Sequence, residues 1–137
     1  MSDKPLINLI YADAVQAFNG IAEAVYLGRP KTTTTSLNSF VSIEFKNEIY
    51  DLAAGNSDFS LTTYGYVDLY VKAKPDGTMN INLQTKLADE IRKKLPYKGK
   101  VSVFTRPVVS MMGSDNYGFN VTRVTFNVRT IININNN

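Results

Sequence analysis

Between Tyr66 and Lys74 the stretch YVDLYVKAK keeps a strict two-residue alternation, with Val67, Leu69, Val71 and Ala73 on one side and Tyr66, Asp68, Tyr70, Lys72 and Lys74 on the other. That period belongs to an extended strand whose apolar side lies on a core. The strand ends at Pro75-Asp76-Gly77, where Pro presets φ and Gly accepts a positive φ. A helix is expected directly after it, from about Asn80 to Leu95, because Leu83, Leu87, Ile91 and Leu95 form an i,i+4 ladder with Ala88 beside it. Pro96 stops that helix.

The remaining segments follow the same logic. From Pro5 to Leu27, Ile7, Ile10, Ala14, Phe18, Ile21 and Val25 recur at helical spacing, so one long helix is expected. Gly20 inside it reads as a close packing contact, and Gly28 with Pro30 as the stop. The Thr-rich segment 31–38 reads as a flexible connector, and AAGNSD as a turn or loop. In FVSIEF, Val41, Ile43 and Phe45 share a strand face, and the regular pattern ends near Asn47. A third strand in GKVSVFTRPVVSMM puts Val101 and Val103 on one face and Phe104 and Arg106 on the other. Pro107 makes it an edge strand or breaks it. After a turn at GSDNYG comes a long strand in which Thr122, Val124, Phe126, Val128 and Thr130 oppose Arg123, Thr125, Asn127 and Arg129. Residues 133–137 form a short Asn-rich tail. The expected fold is a single α+β domain over residues 1–137, in the order αββαββ. Its antiparallel or mixed β-sheet of about four strands carries two amphipathic helices packed on one face.

The chain of 137 residues contains neither His nor Cys. Disulfides, thiolate nucleophiles, the usual general base and the commonest zinc ligands are therefore excluded. The acid pairs Asp89 with Glu90 and Asp51 with Asp58 fall on a solvated helix face and in a loop, contexts that do not tune a catalytic dyad. No phosphate-binding glycine loop is present. The expectation is a protein that is not an enzyme and uses no cofactor or metal. Its N-terminus lacks the pattern of a signal peptide, and no apolar run is long enough to span a bilayer, so no membrane partner is expected.

A net charge of +3 is too small to argue for nucleic acid by itself. Arg92, Lys93, Lys94, Lys98 and Lys100 concentrate basic charge at the end of the second helix, either as a solvated, dipole-compatible helix end or as a DNA or phosphate contact. Tyr64, Tyr66 and Tyr70 on one strand face, with Arg123 and Arg129 on the outward face of the last strand, read as a subunit interface. The alternative is a small nucleic-acid-binding domain that stacks bases on those tyrosines beside the Lys/Arg cluster.

The segment YGYVDLYVKAKPDGTMNINLQTKLADEIRKKL, with FVSIEF before it and VSVFTRPVV and FNVTRVTFNV after it, resembles the tail-completion or tail-terminator proteins of tailed bacteriophages and the related head-to-tail connector proteins. The shared pattern is an aromatic strand, a turn, and a helix of the form L-x-x-x-L-A-D-x-I. The resemblance implies a structural virion protein of the neck or tail, assembled in the host cytoplasm, that forms a homo-oligomeric ring, a hexamer or dodecamer. The ring would join portal or neck proteins to tail proteins around a channel through which DNA passes without sequence-specific contact. By the same analogy, KTTTTSLN and VVSMMGSDNYGF would be arms that bind neighbours.

Overall fold

In the computed structural model, which describes residues 6–28, 36–46, 58–59, 62–130 and 132–133, the first helix is shorter than its apolar period suggests. Helix α1 runs Leu6–Phe18 and buries Leu6, Ile10, Ala14, Ala17 and Phe18 along one stripe. It stops at Gly20, whose φ of 88° only glycine adopts cheaply. A Cβ placed there would meet nothing within 4 Å, so Gly20 serves a backbone turn and not the close contact its position suggests. The chain then enters strand β1, Val25–Leu27, which lies parallel to β2, Ser39–Phe45. The expected helix through Leu27 is thus a helix followed by an edge strand, because Ile21 and Val25 fit both periods and Gly20 decides between them.

Strand β3, Asp58–Phe59, pairs with β8, Ile132–Asn133, in a separate small sheet. Strand β4, Thr62–Lys72, contains the alternating stretch, and helix α2, Ile81–Lys93, follows the Pro-Asp-Gly turn. Asn80 caps α2 by accepting from the Leu83 N–H at 3.4 Å. Strand β5, Tyr97–Lys98, then leads to a long hairpin of β6, Ser102–Ser114, and β7, Phe119–Thr130.

The main sheet has six strands in the order β1-β2-β4-β7-β6-β5, mixed because β1 is parallel to β2 and the other pairings are antiparallel. It forms a half-barrel, and this corrects the expected four-stranded αββαββ arrangement. The physical reason is element length: strands of three residues (β1) and two residues (β5) are too short to display an alternation. The Thr-rich connector is described only from Ser36, and residues 31–35, 47–57 and 134–137, with the expected irregular stretch, loop and most of the tail, lie outside the described residues. No described helix is long and apolar enough to cross a membrane.

Both helices pack on one sheet face. Phe18, Leu87 and Ile91 from the helices join Ile43, Val67, Leu69, Phe104, Val124, Phe126 and Val128 in a single core. Each fully buried Phe, Leu or Ile stabilises the fold by about 1.5 to 3 kcal/mol. The third strand presents Phe104 to this core and leaves Val101 and Val103 half-buried at its margin.

A polar tether fixes α1 to the far side of the sheet. The buried Asp13 carboxylate accepts from the N–H groups of Lys100 (2.9 Å) and Val101 (3.0 Å) and from Ser102 Oγ (2.7 Å). Gly99 admits this approach, since a Cβ at residue 99 would stand 2.2 Å from Asp13 Cγ. Asp13→Ala leaves three donors without an acceptor and is expected to cost about 3 kcal/mol. Gly99→Ala should destabilise through the same contact. Urea denaturation checks both; midpoints equal to wild type would show that the tether is dispensable.

Candidate functional site

The outer face of β4 carries Tyr64, Tyr66, Asp68 and Tyr70, opposite the helices, as the alternation requires. Its solvent exposure is nonetheless small. Tyr66 and Tyr70 are 7% and 4% exposed, and only Tyr64, at 38%, faces solvent. Cross-strand partners account for this. Tyr66 lies opposite Glu44 of β2, and Asp68 lies opposite Arg123 of β7.

Arg123 donates from Nε to Asp68 Oδ1 at 2.8 Å and from Nη2 to Asp68 Oδ2 at 3.0 Å, the bidentate fork that suits a guanidinium and a carboxylate. Its Cζ stands 3.8 Å from the centroid of the Tyr66 ring, a cation–π contact. The Tyr66 hydroxyl in turn donates to Glu44 Oε1. Burial, followed by the hydrogen bond and negative charge of Glu44, pushes the Tyr66 phenol up to about 12. The Asp68 hydrogen bond holds the Arg123 guanidinium above its ordinary value.

Tyr70 belongs to a second cluster on the same face. Its ring stacks on Phe40 at 4.5 Å, Phe40 meets Phe119 edge-on at 5.3 Å, and Tyr26 closes against Phe40 at 5.5 Å. Ala24 and Leu37 pack around this cluster. The structure therefore separates the five residues expected at an interface. Tyr66, Tyr70 and Arg123 are engaged within the chain, whereas Tyr64 and Arg129 are exposed.

The basic residues divide between two places. In the last turn of α2, Arg92 Nη2 and Lys93 Nζ both reach Asp89, at 2.7 Å and 3.0 Å, and these contacts hold the Asp89 carboxyl below its ordinary value, the Arg92 hydrogen bond first. Lys94 forms the C-cap and is exposed. Lys98 and Lys100 instead border an open cleft with Asp13, Gln16 and Tyr97. Among the described residues, no three Asp or Glu side chains converge in a metal-binding group.

The distal half of the β6–β7 hairpin presents the exposed apolar surface. Val108, Val109, Met111, Met112 and Tyr117 are each between 43% and 61% exposed. Val109 and Met111 face α2 across a groove of about 160 Å³ that Gln84 and Ala88 also line. The sequence signal was the uncharged run VVSMMG after Pro107, which lacks the alternation of a strand with one wet face. A polar residue in an amphipathic ladder reads as solvent-facing, yet Gln84 is 1% exposed.

No protein-family model matches the sequence, and no curated protein matches it.

Two measurements check the outer face. Asp68→Asn removes the negative partner of a mostly buried guanidinium and should cost about 2 to 4 kcal/mol in urea unfolding. The folded chain holds the Tyr66 proton more tightly than the unfolded chain, so the associated stability is complete below pH 10 and is lost as pH rises toward 12. Stability should accordingly fall more steeply across that window in wild type than in Tyr66→Phe; parallel curves would show that the phenol is not held neutral.

Proposed function

We propose that this chain is a structural subunit that assembles into a ring at the neck or tail of a tailed bacteriophage, a hexamer or dodecamer joining portal and tail proteins around the DNA channel. The observation that carries the assembly reading is the β6–β7 hairpin, whose distal half holds five large apolar side chains in solvent. Large apolar side chains gathered in solvent on one hairpin are the kind of surface that marks a contact with another macromolecule. The resemblance of the strand-turn-helix segment and its flanking strands supplies the phage setting, and the absence of His and Cys from the sequence is in keeping with a structural role. On this reading the ring is a virion component assembled in the host cytoplasm, with DNA passing through without sequence-specific contact.

The nucleic-acid reading depends on a tyrosine platform. Tyr70 is stacked on Phe40 and Tyr66 lies under Arg123, so of the three tyrosines only Tyr64 offers a ring face without displacing an internal partner. The assembly reading is therefore preferred.

Sedimentation and negative-stain microscopy of the purified chain, alone and with portal and tail proteins, test the proposal. Closed rings are the expected result, alone or on the partner. A strict monomer that ignores both partners would overturn it. Binding to single-stranded DNA that weakens steeply with salt, in the absence of rings, would favour the alternative.

A further inference from the structure

Asn19 and Gly20 form the one Asn-Gly pair in the sequence. Asn19 lies directly beyond the last residue of α1, and both residues are exposed. The Asn19 N–H still donates to Val15 O (2.9 Å), and the next main-chain hydrogen bond along the segment is from Glu23 N–H to Ser39 O (3.2 Å). Between these two anchors the main-chain groups of Gly20, Ile21 and Ala22 bond to nothing among the described residues, and the Asn19 amide has no partner among them either. A Cβ at Gly20 would meet nothing within 4 Å, so no side chain crowds this turn.

These are the conditions for an intramolecular acyl substitution, in which a reacting group already held beside its target replaces a bimolecular encounter. Attack of the Gly20 main-chain nitrogen on Asn19 Cγ closes a five-membered ring. In that step the Gly20 N–Cγ bond forms, the Cγ–Nδ2 bond breaks, and Nδ2 leaves as ammonia with the proton of the Gly20 amide. The product is a cyclic imide. Water then adds to one of the two imide carbonyl carbons and the C–N bond there breaks. Opening at Cγ gives aspartate, and opening at the main-chain carbonyl carbon gives isoaspartate, whose chain runs on through Cβ and Cγ. The sum is amide plus water giving carboxylate plus ammonium, so no oxidant or cofactor takes part. Glycine at the second position matters because a Cβ there would crowd the attacking nitrogen and stiffen the turn. Asn116 provides the contrast: it is exposed too, but Tyr117 follows it, and the Tyr117 N–H donates to Asp115 Oδ1 at 2.7 Å.

Either product places a negative charge at the C-terminus of α1, the end at which the helix dipole disfavours anions. Isoaspartate also inserts one more carbon into the main chain between the Val15 and Ser39 anchors, the stretch that leads α1 into the edge strand β1.

We propose that Asn19–Gly20 is a self-modifying site, converted in the folded chain to aspartate and isoaspartate through a cyclic imide, and that the conversion loosens the end of α1. This inference does not depend on the assembly reading.

The test is to hold the full chain at mildly alkaline pH in water enriched in heavy oxygen, folded and in urea, and to map its peptides by mass spectrometry, with an isoaspartyl methyltransferase as the probe for the isomer. Asn19 should take up heavy oxygen and become a methyl acceptor well before Asn116. A site that must first unfold is slowed by its opening equilibrium, so folded Asn19 should lag the urea-unfolded chain by less than about tenfold. Asn19→Gln should abolish both signals at this position, because the longer amide closes its ring far more slowly. Asn19→Asp, standing in for the aspartyl product, should lower the urea midpoint. Asn19 intact in the folded chain while it converts in urea, or Asn116 converting first, would overturn the site. An Asn19→Asp midpoint equal to wild type would overturn the loosening of α1.

Discussion

The bidentate contact between Arg123 and Asp68 joins the two central strands of the sheet on the face that the helices do not cover. Strands β4 and β7 run side by side from Thr62 opposite Arg129 to Lys72 opposite Phe119, and their inner side chains form most of the floor of the core. A carboxylate as buried as Asp68 is tolerable only with a full partner, since an isolated charge there would cost several kcal/mol. The fork supplies that partner and places the guanidinium over Tyr66, whose hydroxyl then reaches Glu44 on β2. Two neighbouring register positions, Asp68 opposite Arg123 and Tyr66 opposite Glu44, therefore tie three adjacent strands, β2, β4 and β7, through side chains alone. A slip of one residue would move Asp68 to the hydrophobic face and expel Val67, so the polar chain specifies the register as strongly as the core does.

The same arrangement explains what was legible in the sequence. Strands β4 and β7 are long enough for the two-residue period to be unambiguous, and Val67, Leu69 and Val71 on β4 and Thr122, Val124, Phe126, Val128 and Thr130 on β7 are buried as that period requires. Helix α2 was equally plain, with Asn80 and Pro96 marking its limits. Short elements were not. Strands β1 and β5 carry too few residues for any period to emerge, and their pairing is decided by tertiary partners: Val41 for Val25, and Phe104 for Tyr97. The sequence also distinguishes faces and not degrees of burial. Tyr66, Asp68 and Tyr70 were correctly opposed to Val67 and Leu69, yet their coverage by Arg123 and Phe40 comes from strands distant in the chain.

Tyr70 shows how the second face is completed without helices. Phe40, Tyr70 and Phe119 come from β2, β4 and β7, and Tyr26 and Leu37 border them from β1 and the segment before β2. Rings at edge-on and stacked distances add stability beyond the area they bury, by about 0.5 to 1.5 kcal/mol per pair. This cluster lies toward the β1 side of the sheet, and the Glu44–Tyr66–Arg123–Asp68 chain extends toward the other end of the same strands. Between them, little of the outer face of β4 is left for a ligand.

The two sides of the sheet are therefore finished differently. On the β1 side, a three-residue edge strand is bounded by Gly28 and leaves little template to extend. On the other side, β5 covers the start of β6 and the Arg106–Pro107 bulge twists the strand just after that cover ends. Edges in monomeric proteins are commonly guarded by lysines, inward charges or prolines along their length. Here the proline and the bulge guard the first residues only, and Val108 to Met112 carry no charge at all. Exposed valine and methionine on both faces of one strand cannot be buried by rotating the strand, because each face gains only what the other loses. The outward N–H and C=O groups of that stretch and the apolar side chains on its two faces are therefore what the folded chain leaves in solvent at this end of the sheet.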